Sequence, residues 1–180
     1  DYPKDLDYLQ MAYENGKNSF IAIDAQYRIQ SSQFILDHQE SHIQALKDTI
    51  AQIEAGGMGT GILHAQMSLA MAYHMQNKWQ EARSLALDIK NNALSRGFRS
   101  FICAANMILA QCEWAEGNHS QAFSFLRESI EEAENIAFVW LEINGRILLN
   151  QFLKQVGEHQ DSNRNRLSHL LKHIQDHCHH

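Results

Sequence analysis

His169, His173 and His177 recur at intervals of four near the end of this 180-residue chain and are followed by Cys178, His179 and His180. On a helix that step aligns three imidazoles on one face, where neutral ring nitrogens can chelate zinc, nickel or copper. Leu167, Leu170, Leu171 and Ile174 fall mainly on the other side, so the simplest reading of the histidines is the solvated face of an amphipathic last helix. No carboxylate partner closes a ligand set. The expected chemistry at this end is adventitious metal capture, with no evolved metal site and no cofactor.

A second four-residue step joins Met67, Met71 and Met75, with His64 and His74 on the same stretch. Thioether and imidazole would suit Cu(I), yet methionines at helical spacing are first of all adaptable packing or groove lining. Gly56–Gly57–Met58–Gly59–Thr60–Gly61 has the glycine spacing of a phosphate loop, because bare backbone can approach a phosphate closely. Ile62 and Leu63 stand where lysine and a hydroxyl residue would be needed, so the segment reads as a linker between helices. Glu131, Glu132 and Glu134 read as a solvated acidic face. Cys112, beside Glu113 and without a cationic neighbour to lower its pKa, reads as inert. No nucleophile-and-base constellation emerges from the spacing, and an enzyme is not expected.

The elements that carry these residues are helices. Pro3 is the only proline, and Ala, Leu, Gln and Glu outweigh β-branched residues. Hydrophobic residues make up 44% of the chain, enough for a sizeable core. The net charge of −6, with both signs interspersed, leaves no basic footprint for nucleic acid or an anionic membrane. There is no apolar run of about 20 residues, as a membrane span requires, and no leader is visible. Cys103 and Cys112 lie in one helical run, roughly 13 Å apart at 1.5 Å per residue, too far for a disulfide. A reducing, cytoplasmic setting follows. The chain begins at Asp1 rather than methionine, which reads as a fragment of a longer protein.

Periodicity predicts a helix over about 4–14, ended by Asn15–Gly16, and a longer one over 18–36. Ile43, Leu46, Ile50 and Ile53 mark one face of a third, which closes at Gly56–Gly57. Pairs then follow at 61–76 with 79–95, 98–116 with 120–136, and 138–156 with 162–177. Asn77, Gly117 and Gly157 stand at 40-residue intervals between the members of these pairs, and Leu69/Leu109/Leu149, Ala70/Ala110 and Ala82/Ala122 coincide under the same shift. A period of this length marks units that bury their apolar faces only by stacking on neighbours. Asn77, Asn118 or Ser120, and Asp161 or Ser162 are the expected N-terminal caps, and Gly97 is expected to end the helix containing Arg96.

Residues 60–157 resemble the tetratricopeptide repeat family. Leu69, Ala70, Tyr73, Trp79 and Ala82 fit its pattern in one unit, and Leu109, Ala110, Gly117, Ala122 and Leu126 fit it in the next. The terminal proline is missing, Glu113 replaces an aromatic, and Ser162–Asn163 stand where the close-contact alanine belongs. The 40-residue unit is similar to the longer repeats of the helical sensor arms of MalT-type, LuxR-family regulators. The resemblance implies an all-α, right-handed solenoid of antiparallel helix pairs with about 8–9 helices. It would form one domain over 1–180, divided into divergent helices at 1–56, regular repeats at 60–157 and a last helix at 158–180.

In that family the first helix of each pair lines a concave groove. Carried over, the groove positions are His64, Met67, Met71, His74, Met75, Met107, Gln111, Trp114, Asn144, Ile147 and Gln151. Such a lining suits a protein or apolar peptide partner, or a small uncharged inducer. For Met107 and Trp114, a place in the core between helices stands equally open. The implied function is a non-catalytic regulatory or sensor module of a multidomain signalling or transcription-regulating protein. The alternatives are a scaffold or homodimerisation element working through apolar end helices, with Tyr2, Leu6, Tyr8, Leu9 and Tyr13 on the first, and, ranked below it, a metal-binding helical protein that uses His169, His173 and His177.

Overall fold

The computed structural model describes residues 2–15, 20–56, 61–158 and 160–177. Among them are nine α-helices and no strands: α1 (Tyr2–Asn15), α2 (Phe20–Asp37), α3 (Glu40–Ala55), α4 (Gly61–Met75), α5 (Trp79–Arg96), α6 (Arg99–Ala115), α7 (His119–Asn135), α8 (Val139–Gln155) and α9 (Asp161–His177). The all-α expectation holds, and the expected boundaries agree with these within a few residues. The Gly57–Thr60 part of the glycine-rich linker lies outside the described residues. None of the helices is long and apolar enough to cross a membrane.

The chain divides into two compact units, Asp1–Ile89 and Lys90–His180, with the boundary inside α5. In the first, α1 packs on α2, α2 on α3 and α3 on α4, and α2 also lies against α4. Tyr27, Phe34, Ile43, Leu46, Ile53, Ala65, Leu69 and Ala72 form its buried core. In the second, α6 packs on α7, α7 on α8 and α8 on α9, and α6 lies against α8. Ala110, Ala122, Leu126, Ile130, Leu149, Phe152 and Leu153 form that core. Small residues set the closest approach. An added Cβ on Gly145 would stand 2.8 Å from Ile130 Cγ1, and the Ser129 hydroxyl of α7 reaches across to donate to the Cys103 carbonyl at 2.8 Å.

The turns reveal a shorter period than the 40 residues legible in the side chains. Asn77, Gly97, Gly117, Ala137 and Gly157, each 20 residues after the last, all adopt positive φ. Every one ends its helix the same way. The N–H of the residue after it reaches back five residues, as in Lys78 to Tyr73, Phe98 to Ala93, Asn118 to Glu113, Phe138 to Ala133 and Glu158 to Leu153, at 2.9–3.0 Å, and its own N–H reaches back three, as in Asn77 to His74 and Gly117 to Trp114. This double closure satisfies carbonyls that a helix end otherwise leaves bare. Asn77 is thus a stop residue in the left-handed conformation rather than a cap. Asn118 does precede α7 but makes no side-chain cap bond; its amide instead donates to Glu113 at 2.9 Å. Asp161 opens α9 as an acid in its first turn, where the helix dipole favours a carboxylate.

Ala137 performs at φ 53° what its counterparts do with glycine or asparagine. A left-handed alanine costs about 1–2 kcal/mol, and glycine gives back roughly 0.5–1 kcal/mol in unfolded-chain freedom. Ala137→Gly is therefore expected to stabilise the protein by about 0.5–1 kcal/mol, a rise of roughly 1–4 °C in Tm for a chain of this length. Urea and thermal unfolding of the two proteins check it; a loss of stability would contradict the strain.

Candidate functional site

Helix α4 carries five of the residues expected to line a groove. It lies beside α2, and between them opens a cavity of about 530 Å3 whose walls include Tyr27, Arg28 and Ser31 of α2 and His64, Met67 and Ser68 of α4. Tyr27 is buried beneath the opening, its ring parallel to the His64 imidazole within 12° and 6.4 Å away. Met71 and Met75 follow Met67 at four-residue steps and are exposed. His74 is turned elsewhere. Its ring packs 4.9 Å from Trp79, its Nδ1 is buried with no hydrogen-bond partner among the described residues, and burial holds its pKa below 6.5. It is neutral at pH 7 and serves the α4–α5 contact. Of the α4 set, His64 and Met67 thus reach the cavity, and Met71 and Met75 extend the apolar surface beside it.

The remaining expected groove residues lie in the second unit and divide differently. Asn144, Ile147 and Gln151 are exposed on α8, whereas Gln111 is partly buried and spends its amide on the Met107 carbonyl of its own helix at 3.2 Å. Met107 and Trp114 pack against the buried core. Trp114 is partly buried. It stacks on Phe152 at 4.0 Å and on His119 at 4.1 Å, meets Phe123 edge-on, and donates its indole N–H to Gln155 at 2.7 Å. Of the two placements open to it in the sequence, the structure has Trp114 between helices.

Among the described residues, no group of three or more His, Cys, Asp or Glu is arranged to hold a metal ion. His169 and His173 are exposed on α9; the side chain of His177, with Cys178, His179 and His180, falls outside the described residues. Cys103 and Cys112 are buried free thiols, and desolvation pushes Cys103 up to about 11. A thiolate is therefore not available there near neutral pH.

A second set of residues was not singled out in the sequence. Aligned by the 40-residue shift, α4 presents Ile62, Gln66 and Ala70, α6 presents Ile102, Asn106 and Ala110, and α8 presents Glu142, Arg146 and Asn150. The same shift carries Ala82 and Ala122 onto Ser162, which is exposed; the buried place they hold in α5 and α7 is taken on α9 by the next residue, Asn163. Its amide donates to the Arg146 carbonyl at 3.1 Å and to Asn150 at 2.9 Å, while its oxygen accepts from Arg146 at 2.9 Å. Glu142, only 3% exposed, accepts from Arg146 Nε at 2.9 Å and from Arg166 at 2.8 and 3.1 Å. Arg146 also pairs with Glu134 of α7. Burial pushes the Glu142 carboxyl up, but hydrogen bonds from Arg166 and Arg146 and their charge outweigh it and hold the pKa below 4.5. The signal was available: polar residues at steps of four on α8, at positions that are apolar or neutral in its repeats.

Among the described residues α7 and α9 each pack on α8 but not on each other. The gap between them is an open cleft of about 610 Å3, with Ile130 and Leu149 among its lining and Arg127, Glu131, Glu134 and Arg166 on its walls.

No protein-family model matches this chain, and a search of curated proteins finds no match.

Proposed function

We propose that this chain is a non-catalytic, tetratricopeptide-like binding module, a sensor or regulatory arm of a multidomain cytoplasmic signalling or transcription-regulating protein, whose recognition face is carried by the first helix of each pair. The observation that carries this reading is the α2–α4 cavity, where His64 and Met67 meet Tyr27 beside the exposed Met71 and Met75. Such a face requires helices two apart in the chain to lie side by side, as α2 on α4 and α6 on α8 do. Its methionines adapt to partners of varied shape, and a protein segment, an apolar peptide or a small uncharged inducer fits the chemistry.

Thermal unfolding across a panel of apolar peptides and neutral metabolites tests the reading. A ligand specific to the folded state at 100 times its Kd adds about 2.7 kcal/mol, and the expected hit loses most of its shift in Met67→Ala and His64→Ala. A hit that survives both changes places recognition elsewhere; the absence of any hit removes the support for a ligand-sensing arm.

A second reading, assembly through the chain's first helix, is favoured by one feature. Tyr8 is 72% and Met11 57% exposed on α1. Concentration-dependent dimerisation that Tyr8→Ser with Met11→Ser abolishes would support assembly; a monomer at all concentrations would remove it.

A further inference from the structure

The cleft between α7 and α9 differs from the α2–α4 cavity in carrying carboxylates beside its arginines and no methionine or aromatic ring. Its construction departs from the pattern that stabilises the rest of the chain. Where α4 and α6 offer Ile62/Ala70 and Ile102/Ala110, α8 offers Glu142 and Asn150, and Asn163 replaces a contact alanine. A buried ion pair is often no more stabilising than apolar packing of the same volume, so stability is a weak account of the exchange. Arg146 and Asn163 of this network stand in the wall of the cleft, whose volume falls within the range of about 300–1,000 Å3 typical of small-ligand sites.

The charges of the cleft divide into committed and available groups. Arg146 is engaged by Glu142, Glu134 and Asn163, and Arg166 uses its Nε and one terminal nitrogen on Glu142. On the opposite wall Arg127 and Glu131, one helical turn apart, are exposed and make no hydrogen bond or ion pair among the described residues. The walls carry three guanidiniums, Arg127, Arg146 and Arg166, and two carboxylates, Glu131 and Glu134, and the buried Glu142 bonded to Arg146 and Arg166 supplies a third negative charge that balances the set. The cleft offers both signs within one small space. An Arg fork matches a carboxylate, Glu131 and Glu134 match an ammonium, and Ile130 and Leu149 can receive an aliphatic portion.

We propose that the α7–α9 cleft binds a small zwitterion carrying a carboxylate and an ammonium group, of the amino acid or dipeptide class. Arg127 and Arg166 take the carboxylate, and Glu131 takes the ammonium. Binding between two helices that otherwise meet only through α8 links α7 to α9 directly.

Calorimetric titration of the full chain with the twenty amino acids and a set of dipeptides tests this, each hit being compared with its deaminated acid and its decarboxylated amine. At least one zwitterion is expected to bind, with either single-charge analogue weaker by tenfold or more. Arg127→Gln and Glu131→Gln, both outside the buried network, should each weaken it by tenfold or more with far-UV circular dichroism unchanged. Which arm binds separates free amino acids from peptide termini as the source. No binding across the panel, equal binding of a single-charge analogue, or binding untouched by both variants would overturn the proposal. A peptide hit sensitive only to Met67→Ala reports on the other cavity.

Discussion

Replacing Trp114 with alanine is expected to lower the stability of this protein by about 3–5 kcal/mol, the usual consequence of emptying a large aromatic site. The indole lies between Phe152 and His119 at stacking distance and seats Phe123 at its edge, so truncation uncovers three rings at once. Aromatic pairs add about 0.5–1.5 kcal/mol beyond buried area, and the Gln155 oxygen loses its 2.7 Å donor. Against a total of about 5–15 kcal/mol for a folded domain, this is a large fraction. Tm should fall by roughly 6–20 °C at 2–4 °C per kcal/mol, with Trp114→Phe falling less because it keeps the stack and loses only the donor. Urea midpoints of the three proteins check it. A Trp114→Ala variant of unchanged midpoint would return the residue to a ligand-facing role.

Glu142→Ala is the second large loss. The Arg146 side chain is only 12% exposed, and removing the carboxylate between it and Arg166 leaves a nearly buried guanidinium with Glu134 as its one remaining ion-pair partner among the described residues. Breaking a buried pair from one side costs about 3–5 kcal/mol; Arg166, 44% exposed, can turn to water, so the lower end is expected. Replacing the whole set should behave oppositely. Glu142→Ile, Arg146→Gln, Asn150→Ala and Asn163→Ala together restore the pattern of Ile62, Gln66, Ala70 and Ala82, and this variant is expected to match or exceed the parent in stability.

The pH dependence follows from the same group. Its pKa is lower folded than the ordinary 4.5, so its stabilisation is complete above that value and disappears as pH falls through the folded pKa. Glu142→Gln should flatten the acid limb of a stability–pH profile below pH 4.5. An unaltered limb in the variant would mean that the guanidiniums do not hold the carboxylate as described.

The helices were legible because their signals are local: apolar residues at steps of three and four, and turn residues that tolerate left-handed backbone. Gly97, Gly117 and Gly157 could be read for that reason. Ala137 could not, since alanine announces no positive φ, and without it the 20-residue period of the turns is broken into a 40-residue one. Asn77 misled as a cap because asparagine is favoured both before a helix and in the left-handed stop after one. Groove and core were inseparable at Trp114, as a helix that packs on two neighbours has more than one apolar face and periodicity does not say which is covered. The α8 network escaped for a different reason. Charged residues at steps of four read as a solvated face unless the repeat alignment shows that their counterparts are buried, and the Asn163 substitution was noted without its partners on α8.

The proposed recognition surface on α4 is tested most directly by the methyl resonances of 13C-methionine-labelled protein. Met67, Met71 and Met75 report on that face, Met107 on the second core and Met11 on α1. On addition of the panel peptide with the largest thermal shift, the Met67 and Met71 signals are expected to move while Met107 and Met11 stay in place. Movement of Met11 alone, produced by raising the protein concentration without any peptide, would contradict the account and make the chain an assembly element.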